Sequence, residues 1–359
     1  MDRNKCGRPD CRYRLRFAVL GVLFAAVFFT SFLLGRYAVS PGDLTKILRW
    51  KLAGLLSRLP GQLGISTQAA QPWDSAAATV LLQVRLPRVT AAALIGAALS
   101  AAGAAYQGLF RNPMVSPDIL GASSGAGFGA ALAILGGLSG FGISAAAFCA
   151  GLCAVFLAYA LGRASRMNAM LAMVLAGMMV SSLFTAATSF IKLIADPEEQ
   201  LPAITYWLMG SLSSIRGRDV GFLAAPVLVG LTVLLCLRWR VNLLTVGEEE
   251  AESMGVNTRR LRLTVILCAT LMTAATVSVG GLIGWIGLVI PHFCRLLFGY
   301  DYRRLLPASA LLGASFLIVV DDAARLLTTS EIPIGILTAF LGAPVFAWLI
   351  LTGGGRREA

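Results

Sequence analysis

The chain has 359 residues, of which 57% are apolar and 13% charged, and it carries a net charge of +12. Soluble domains carry about 25% charged residues, so this composition, with a mean hydropathy of +0.77, excludes a water-facing surface over most of the chain. The basic residues are scattered at the ends of apolar runs rather than gathered on one soluble face, which excludes a nucleic-acid partner.

A membrane-crossing helix needs about 20 apolar residues. Ten stretches qualify: 17–35, 89–110, 119–136, 141–162, 169–193, 219–238, 261–280, 283–299, 305–327 and 332–352. The predicted fold class is therefore all-α, a polytopic membrane helix bundle of ten transmembrane helices, with 1–359 as one domain. The stretch from Ile283 is the weakest, because Pro291, His292 and Arg295 interrupt it. Small residues abound, as expected where helices pack by close backbone approach.

The N-terminus has basic residues before an apolar run, like a signal peptide. That run is long for one, and no small-x-small cleavage site follows it clearly, so it reads as a retained first span. With the N-terminus in the cytoplasm, 19 of the 30 Lys and Arg fall on that side. The short outer connections are then nearly free of positive charge, as the positive-inside rule requires. Ten spans return the C-terminus to the cytoplasm.

Two polar segments stand out. In 36–88, Leu44, Ile47, Leu48, Leu52, Leu55, Leu56 and Leu59 recur at helical spacing, with Lys46, Arg49 and Arg58 between them. Ser40, Pro41 and Asp43 supply a helix start. This predicts a basic amphipathic helix on the outer surface, in contact with membrane lipid or packed on its own bundle. Further on, Leu201 to Gly210 is too short to span and reads as a half-helix at the outer mouth. In 239–260, Glu248, Glu249, Glu250 and Glu252 precede Gly255. Glutamates suit the first turn of a helix and Gly a helix stop, so a short cytoplasmic helix is expected, either solvated or docked to a partner.

Few residues offer chemistry. There is no Walker A pattern, so the chain has no ATP site of its own. The single His, His292, has no carboxylate at i±4, which argues against a metal centre or a hydrolytic triad, and no cofactor is expected. Cys149, Cys153, Cys236, Cys268 and Cys294 lie in apolar stretches and read as small packing residues. Cys6 and Cys11 match no standard metal spacing. Ionisable groups inside spans are the functional candidates by default. Asp321 and Arg325 are four apart on one helix face and are expected to form a structural ion pair, with Asp322 pointing elsewhere and Arg325 left exposed for docking. Arg85 and Arg88 flank Pro87 on the outer side, against the positive-inside trend, which points to an acidic outer partner or to lipid headgroups. One reading from these residues is an ion-gradient-driven secondary transporter using Asp321 or Asp322. An intramembrane enzyme lacks the residues it needs.

Across 80–359 the motifs fall in a recognisable order: Arg85-Leu86-Pro87-Arg88, Gln107, Asn112-Pro113, Gly125-Ala126-Gly127, Trp207-Leu208-Met209-Gly210, Gly284 to His292, Arg295, Asp321, Arg325, Glu331-Ile332-Pro333-Ile334-Gly335 and Gly342-Ala343-Pro344. In these residues the chain resembles the FecCD family, the permease subunits of type II ABC importers for iron-siderophores, haem and cobalamin. The resemblance implies a homodimer in the inner membrane, with two cytoplasmic ATP-binding subunits, a periplasmic substrate-binding protein and transport by alternating access. It implies that Gly247, Glu248, Ala251 and Gly255 belong to the coupling helices. It also implies that Arg85, Arg88 and Arg325 dock the binding protein. Segment 36–88 is longer than the family's usual first outer loop, and Met167-Asn168-Ala169-Met170 departs from the inner-gate pattern of the cobalamin branch, so no gate residue is carried over.

Overall fold

The computed structural model describes residues 8–35, 37, 39–56, 75–166 and 168–353, and these are helical throughout, with no strand among them. The first helix, α1 (Arg8–Ser31), is followed by α2 (Pro41–Leu56), α3 (Ser75–Thr79) and α4 (Leu86–Leu109). Then come α5 (Ala122–Leu135), α6 (Phe141–Ala164), α7 (Ala169–Ile194), α8 (Gln200–Met209) and α9 (Gly217–Val246). The chain closes with α10 (Glu248–Ser253), α11 (Thr258–Gly280), α12 (Ile286–Phe298), α13 (Tyr302–Leu326) and α14 (Ile334–Gly353).

Seven of the described helices are long and apolar enough to cross a membrane: those within α1, α3–α4, α6, α7, α9, α11 and α13. The expected stretch in α14 is 20 residues long and runs to the last described residue, whereas those in α5 and α12 are shorter apolar helices. At about 1.5 Å per residue, the 14 residues of α5 reach only about two-thirds of a hydrocarbon core of about 30 Å. These helices are cut short by irregular backbone, which is tolerated at membrane depth where protein buries it. One such joint brings three ends together: Ser211 donates from its backbone to Gly280, and Ile334 donates to Gly210, both at 2.9 Å.

The second span begins earlier than the sequence suggested, as one continuous helix from Ala76 to Leu109. Pro87 removes a helical hydrogen bond and crowds the preceding turn. The turn before it, Val80–Arg85, is wound as a π-helix, the looser form that accommodates such a defect. The α8 half-helix matches expectation and ends at Gly210, which has a φ of 73°.

Helices α4, α11 and α13 form the inner layer. Their most apolar windows are 78%, 72% and 72% buried, against 11–28% for α1, α6, α7 and α9. The inner layer rests on backbone contact. A Cβ added at Gly96 of α4 would lie 2.2 Å from the Gly313 carbonyl oxygen of α13, and one at Gly313 would lie 2.4 Å from that of Gly96. A Cβ at Gly103 would lie 1.9 Å from the Gly287 oxygen of α12. Only glycine lets the backbones meet this closely, and dispersion between such surfaces drives association in lipid. Of the cysteines, Cys268 and Cys294 are buried as expected, whereas Cys149, Cys153 and Cys236 are exposed on outer-layer helices.

Helix α2 starts as expected: the Asp43 amide donates to the Ser40 hydroxyl at 3.1 Å, and that hydroxyl donates to the Asp43 carboxylate at 2.8 Å. Leu44 and Ile47 are buried in the main core, so its first turns pack on the bundle, with Lys46 and Arg49 exposed. Leu48, Leu52, Leu55, Leu56, Arg58 and Leu59 lie outside the residues whose side chains are described.

The packing predicts that Gly96→Ala and Gly313→Ala each lower stability by about 1–3 kcal/mol, the cost of overpacking, read as a reduced melting temperature in detergent. Gly221→Ala, on an exposed turn of α9 with nothing within 4 Å, is expected to be neutral or stabilising by about 0.5–1 kcal/mol.

Candidate functional site

Two polar assemblies sit at opposite ends of the inner layer. The first surrounds the end of α13 nearest α2. Arg88 on α4 reaches α13, where its Nε donates to Asp321 at 2.9 Å, and its Nη1 pairs with Glu331 at 2.9 Å. Arg325 lies 3.4 Å from Asp321 and also pairs with Asp322. Ser31, at the end of α1, donates to Asp322 at 2.6 Å and accepts from Arg325 at 3.0 Å. Arg85 donates to the backbone carbonyls of Phe32 and Tyr37. Three arginines thus face three carboxylates, and the cluster is charge-balanced.

This geometry changes two expectations. Asp322 does not point away, because the close packing of α1 on α13 brings Ser31 and Arg325 to it. Arg325 is not exposed: Arg85, Arg88 and Arg325 are 3%, 5% and 8% accessible. Their charges are turned inward onto Asp321, Asp322, Glu331 and the carbonyls of Phe32 and Tyr37, just past α1. The Asp321–Arg325 pair is present, but it is one edge of a larger network. Its strongest partner for Asp321 is Arg88, which is remote in sequence. Ser31 and Glu331 belong to the network too. Nothing in the composition of their segments singles out Ser31.

The second assembly is built around α10. Glu248 opens this helix, and the Ala251 amide donates to the Gly247 carbonyl at 3.1 Å. Gly255, with a φ of +79°, ends it. The Gly255 amide donates to Glu252 and the Val256 amide to Ala251, at 2.9 and 3.1 Å. This is a glycine-terminated helix stop of the kind the sequence predicts. Ala251 is 1% accessible and faces the bundle, while Glu249, Glu250 and Glu252 are exposed. Glu252 also accepts from Thr258 at 2.6 Å, tying α10 to the start of α11.

The end of α9 that leads into α10 is fastened to the inner layer. The Arg111 Nε, just past α4, donates to the Leu244 carbonyl at 2.9 Å. Asn242 donates to Asp301 at 2.6 Å and accepts from the Tyr302 amide at 2.8 Å. Close by, the buried Gln107 side-chain amide donates to the carbonyls of Val115 and Gly287, each at 3.2 Å, and its oxygen accepts from Arg295. Asn242 and Asp301 carried no signal in the sequence, since isolated polar residues at span ends are common. Asp118, in the turn before α5, is half-buried. Burial pushes its carboxyl above the usual carboxylate range, and a hydrogen bond from Ser123 opposes the shift. Met167, at the departure from the gate pattern, lies outside the described residues.

The FecCD transport family matches residues 23–352. The chain belongs to this family. It is 38% identical to the molybdate import permease MolB of Haemophilus influenzae, over 98% of this chain and 100% of that protein. It is 39% identical to the cobalamin import permease BtuC of Halobacterium salinarum, over 84% of this chain and 79% of that protein. A solved structure of an ABC transporter of metal-chelate type, in an inward-facing conformation, superposes with a TM-score of 0.81 at 37% identity, covering 94% of this chain and 99% of that one. The chain is thus a membrane-embedded permease of the type II ABC importers, a class of subunit that is not itself an enzyme and that implies ATPase and binding-protein partners.

For this FecCD permease, Asp321→Ala is expected to cost about 3–5 kcal/mol, because it strands buried guanidinium charge. The double change Arg88→Met with Asp321→Leu is expected to recover most of that loss. Thermal melting of Arg88→Met, Asp321→Leu and the double variant closes the cycle and gives the coupling energy.

Proposed function

We propose that two copies of this chain form the translocation pathway of an inner-membrane importer for a metal chelate of the iron-siderophore, haem or cobalamin type. Two ATP-binding subunits sit on the α10 face and a periplasmic binding protein on the α2 face, so that both termini are cytoplasmic. The distribution of Lys and Arg supports this orientation.

The observation that carries the reading is α10. It is a short acidic helix that projects Glu249, Glu250 and Glu252 while Ala251 seats it between α9 and α11. Through Asn242, Asp301, Arg111 and Leu244, the adjoining end of α9 is bonded to α4 and α13. A push on Gly247, Glu248, Ala251 and Gly255 is thereby delivered to the inner layer rather than lost in a loop. Closure of the ATPase subunits then rocks the helix bundles between two arrangements.

At the opposite face, burial gives Arg85, Arg88 and Arg325 a positioning part in docking. They fix the ends of α1, α4 and α13 on which a binding protein rests, instead of presenting bare cations to its carboxylates. The same burial weighs against the secondary-transporter reading, because Asp321 and Asp322 are both engaged by arginines and are not open ion sites.

One observation favours a second cargo. The alignment with the molybdate permease runs the full length of that protein and nearly all of this chain, so it takes in the long segment 36–88. Molybdate, an oxyanion rather than a chelate, is therefore the second reading of the substrate.

Reconstitution into proteoliposomes tests the assignment. Uptake is expected only with ATP, the ATP-binding subunits and the binding protein together; cargo movement by the permease alone would overturn it. Ala251→Glu places a carboxylate in a buried apolar seat and is expected to reduce ATP-driven uptake to background while the partner ATPase still turns over. Parallel assays with molybdate and with iron chelates decide the cargo.

A further inference from the structure

A cavity of about 670 Å³ opens between the last membrane turns of α9 and the first turn of α11, beside the end of α10. Its body is apolar, with Val233 and Leu237 from α9 and Leu261 from α11. Its rim is polar, with Arg240, Asn257 and Arg260. Arg240 and Arg260 are both exposed, and among the described residues neither guanidinium is in an ion pair. Trp239 also lines the opening, with the Arg303 guanidinium 5.9 Å from its ring centroid.

We propose that this cleft holds the headgroup of an anionic phospholipid, its phosphate against Arg240 and Arg260 and its acyl chains along Val233, Leu237 and Leu261. Placement in the inner leaflet rests on the orientation proposed above. Three observations commit the cleft to lipid. The wall from α9 belongs to the most apolar of the seven long helices, which is only 22% buried, so that wall faces the hydrocarbon. The cations stand where the apolar surface ends, at headgroup level, and Trp239 sits at the same level, as interfacial aromatics do. The charge of the cleft is opposite to that of α10. A partner surface suited to the exposed Glu249, Glu250 and Glu252 is basic and is repelled by Arg240 and Arg260, whereas an anionic headgroup is matched by them. The N-terminus of α11, capped where the Arg260 amide donates to the Asn257 side chain at 2.9 Å, adds its own positive field.

The test is lipid retention by the purified full chain, with no other subunit present, so its outcome does not depend on the importer reading. Native mass spectrometry after delipidation and exposure to phosphatidylglycerol or phosphatidylcholine is expected to show selective retention of phosphatidylglycerol. Arg240→Gln with Arg260→Gln is expected to weaken that retention about thirtyfold, the loss of two basic contacts at a membrane surface. Arg240→Lys with Arg260→Lys restores it, and Lys46→Gln with Arg49→Gln, at the other face, leaves it unchanged. Equal retention of both lipids, undiminished retention in the double Gln variant, or displacement of the lipid by inorganic phosphate would each overturn the proposal. So would failure of the Lys pair to rescue. A cleft that retains no lipid and is instead covered by an added ATP-binding subunit identifies a protein contact and also overturns it.

Discussion

The close approach of α4 to α13 and α12 is the constraint on which the rest of the molecule depends. In water, a helix pair gains by hiding apolar surface. In lipid that gain vanishes, because the surrounding chains are as apolar as the side chains. What remains is contact, and contact is closest where no side chain intervenes. Gly96 against Gly313 and Gly103 against Gly287 give α4 two such backbone seats. These seats set the spacing at which the polar groups at either end can meet. Arg88 reaches Asp321, and Gln107 reaches the Gly287 carbonyl, because α4 lies directly against α13 and α12.

The two ends use the shared core differently. At the α2 end, charge is collected and neutralised inside the protein, with each arginine facing a carboxylate or a carbonyl. Such a cluster adds little net stability over an apolar one of the same shape, but it is costly to break and permits few alternative arrangements. It pins α1, α4, α13 and the segment before α14 to one another. At the α10 end the polar contacts are mostly neutral or singly charged, between side chains and backbone. They fasten the end of α9 while leaving Glu249, Glu250 and Glu252 outside. One end is locked, and the other offers a grip.

Much of this was legible in the sequence, for identifiable reasons. The long helices were marked by apolar length. The α8 half-helix was marked by its shortness before Gly210. The α10 helix was marked by glutamates at its start and a left-handed glycine at its end. Burial of the outer arginines was not legible. Arg88 sits 233 residues from Asp321, and Arg85 sits 53 and 48 residues from the Phe32 and Tyr37 carbonyls; a basic pair at a span end reads equally as an outer-face feature. The partner of Asp322 was missed for a related reason. Spacing along α13 reports i+3 and i+4 neighbours, and Ser31 comes from α1. The early start of the second span was hidden by Pro87, which usually marks a boundary and here is absorbed by a π-helical turn.

A transporter of this class needs a part that transmits force and a part that yields to it. Helices α4, α11 and α13 are buried, joined by backbone seats and tied at both ends, which makes them the transmitting part. The yielding part is where helices are short and their ends are joined by single hydrogen bonds, as at Gly210, Gly280 and Ile334. Packed cores are bistable rather than continuously deformable, so under the proposed mechanism a displacement entering at α10 passes through the inner layer with little loss and is taken up at such joints. Under the proposed mechanism the pathway opens and closes there. The buried charge cluster holds the opposite end of α13 fixed, and so gives the displacement something to act against.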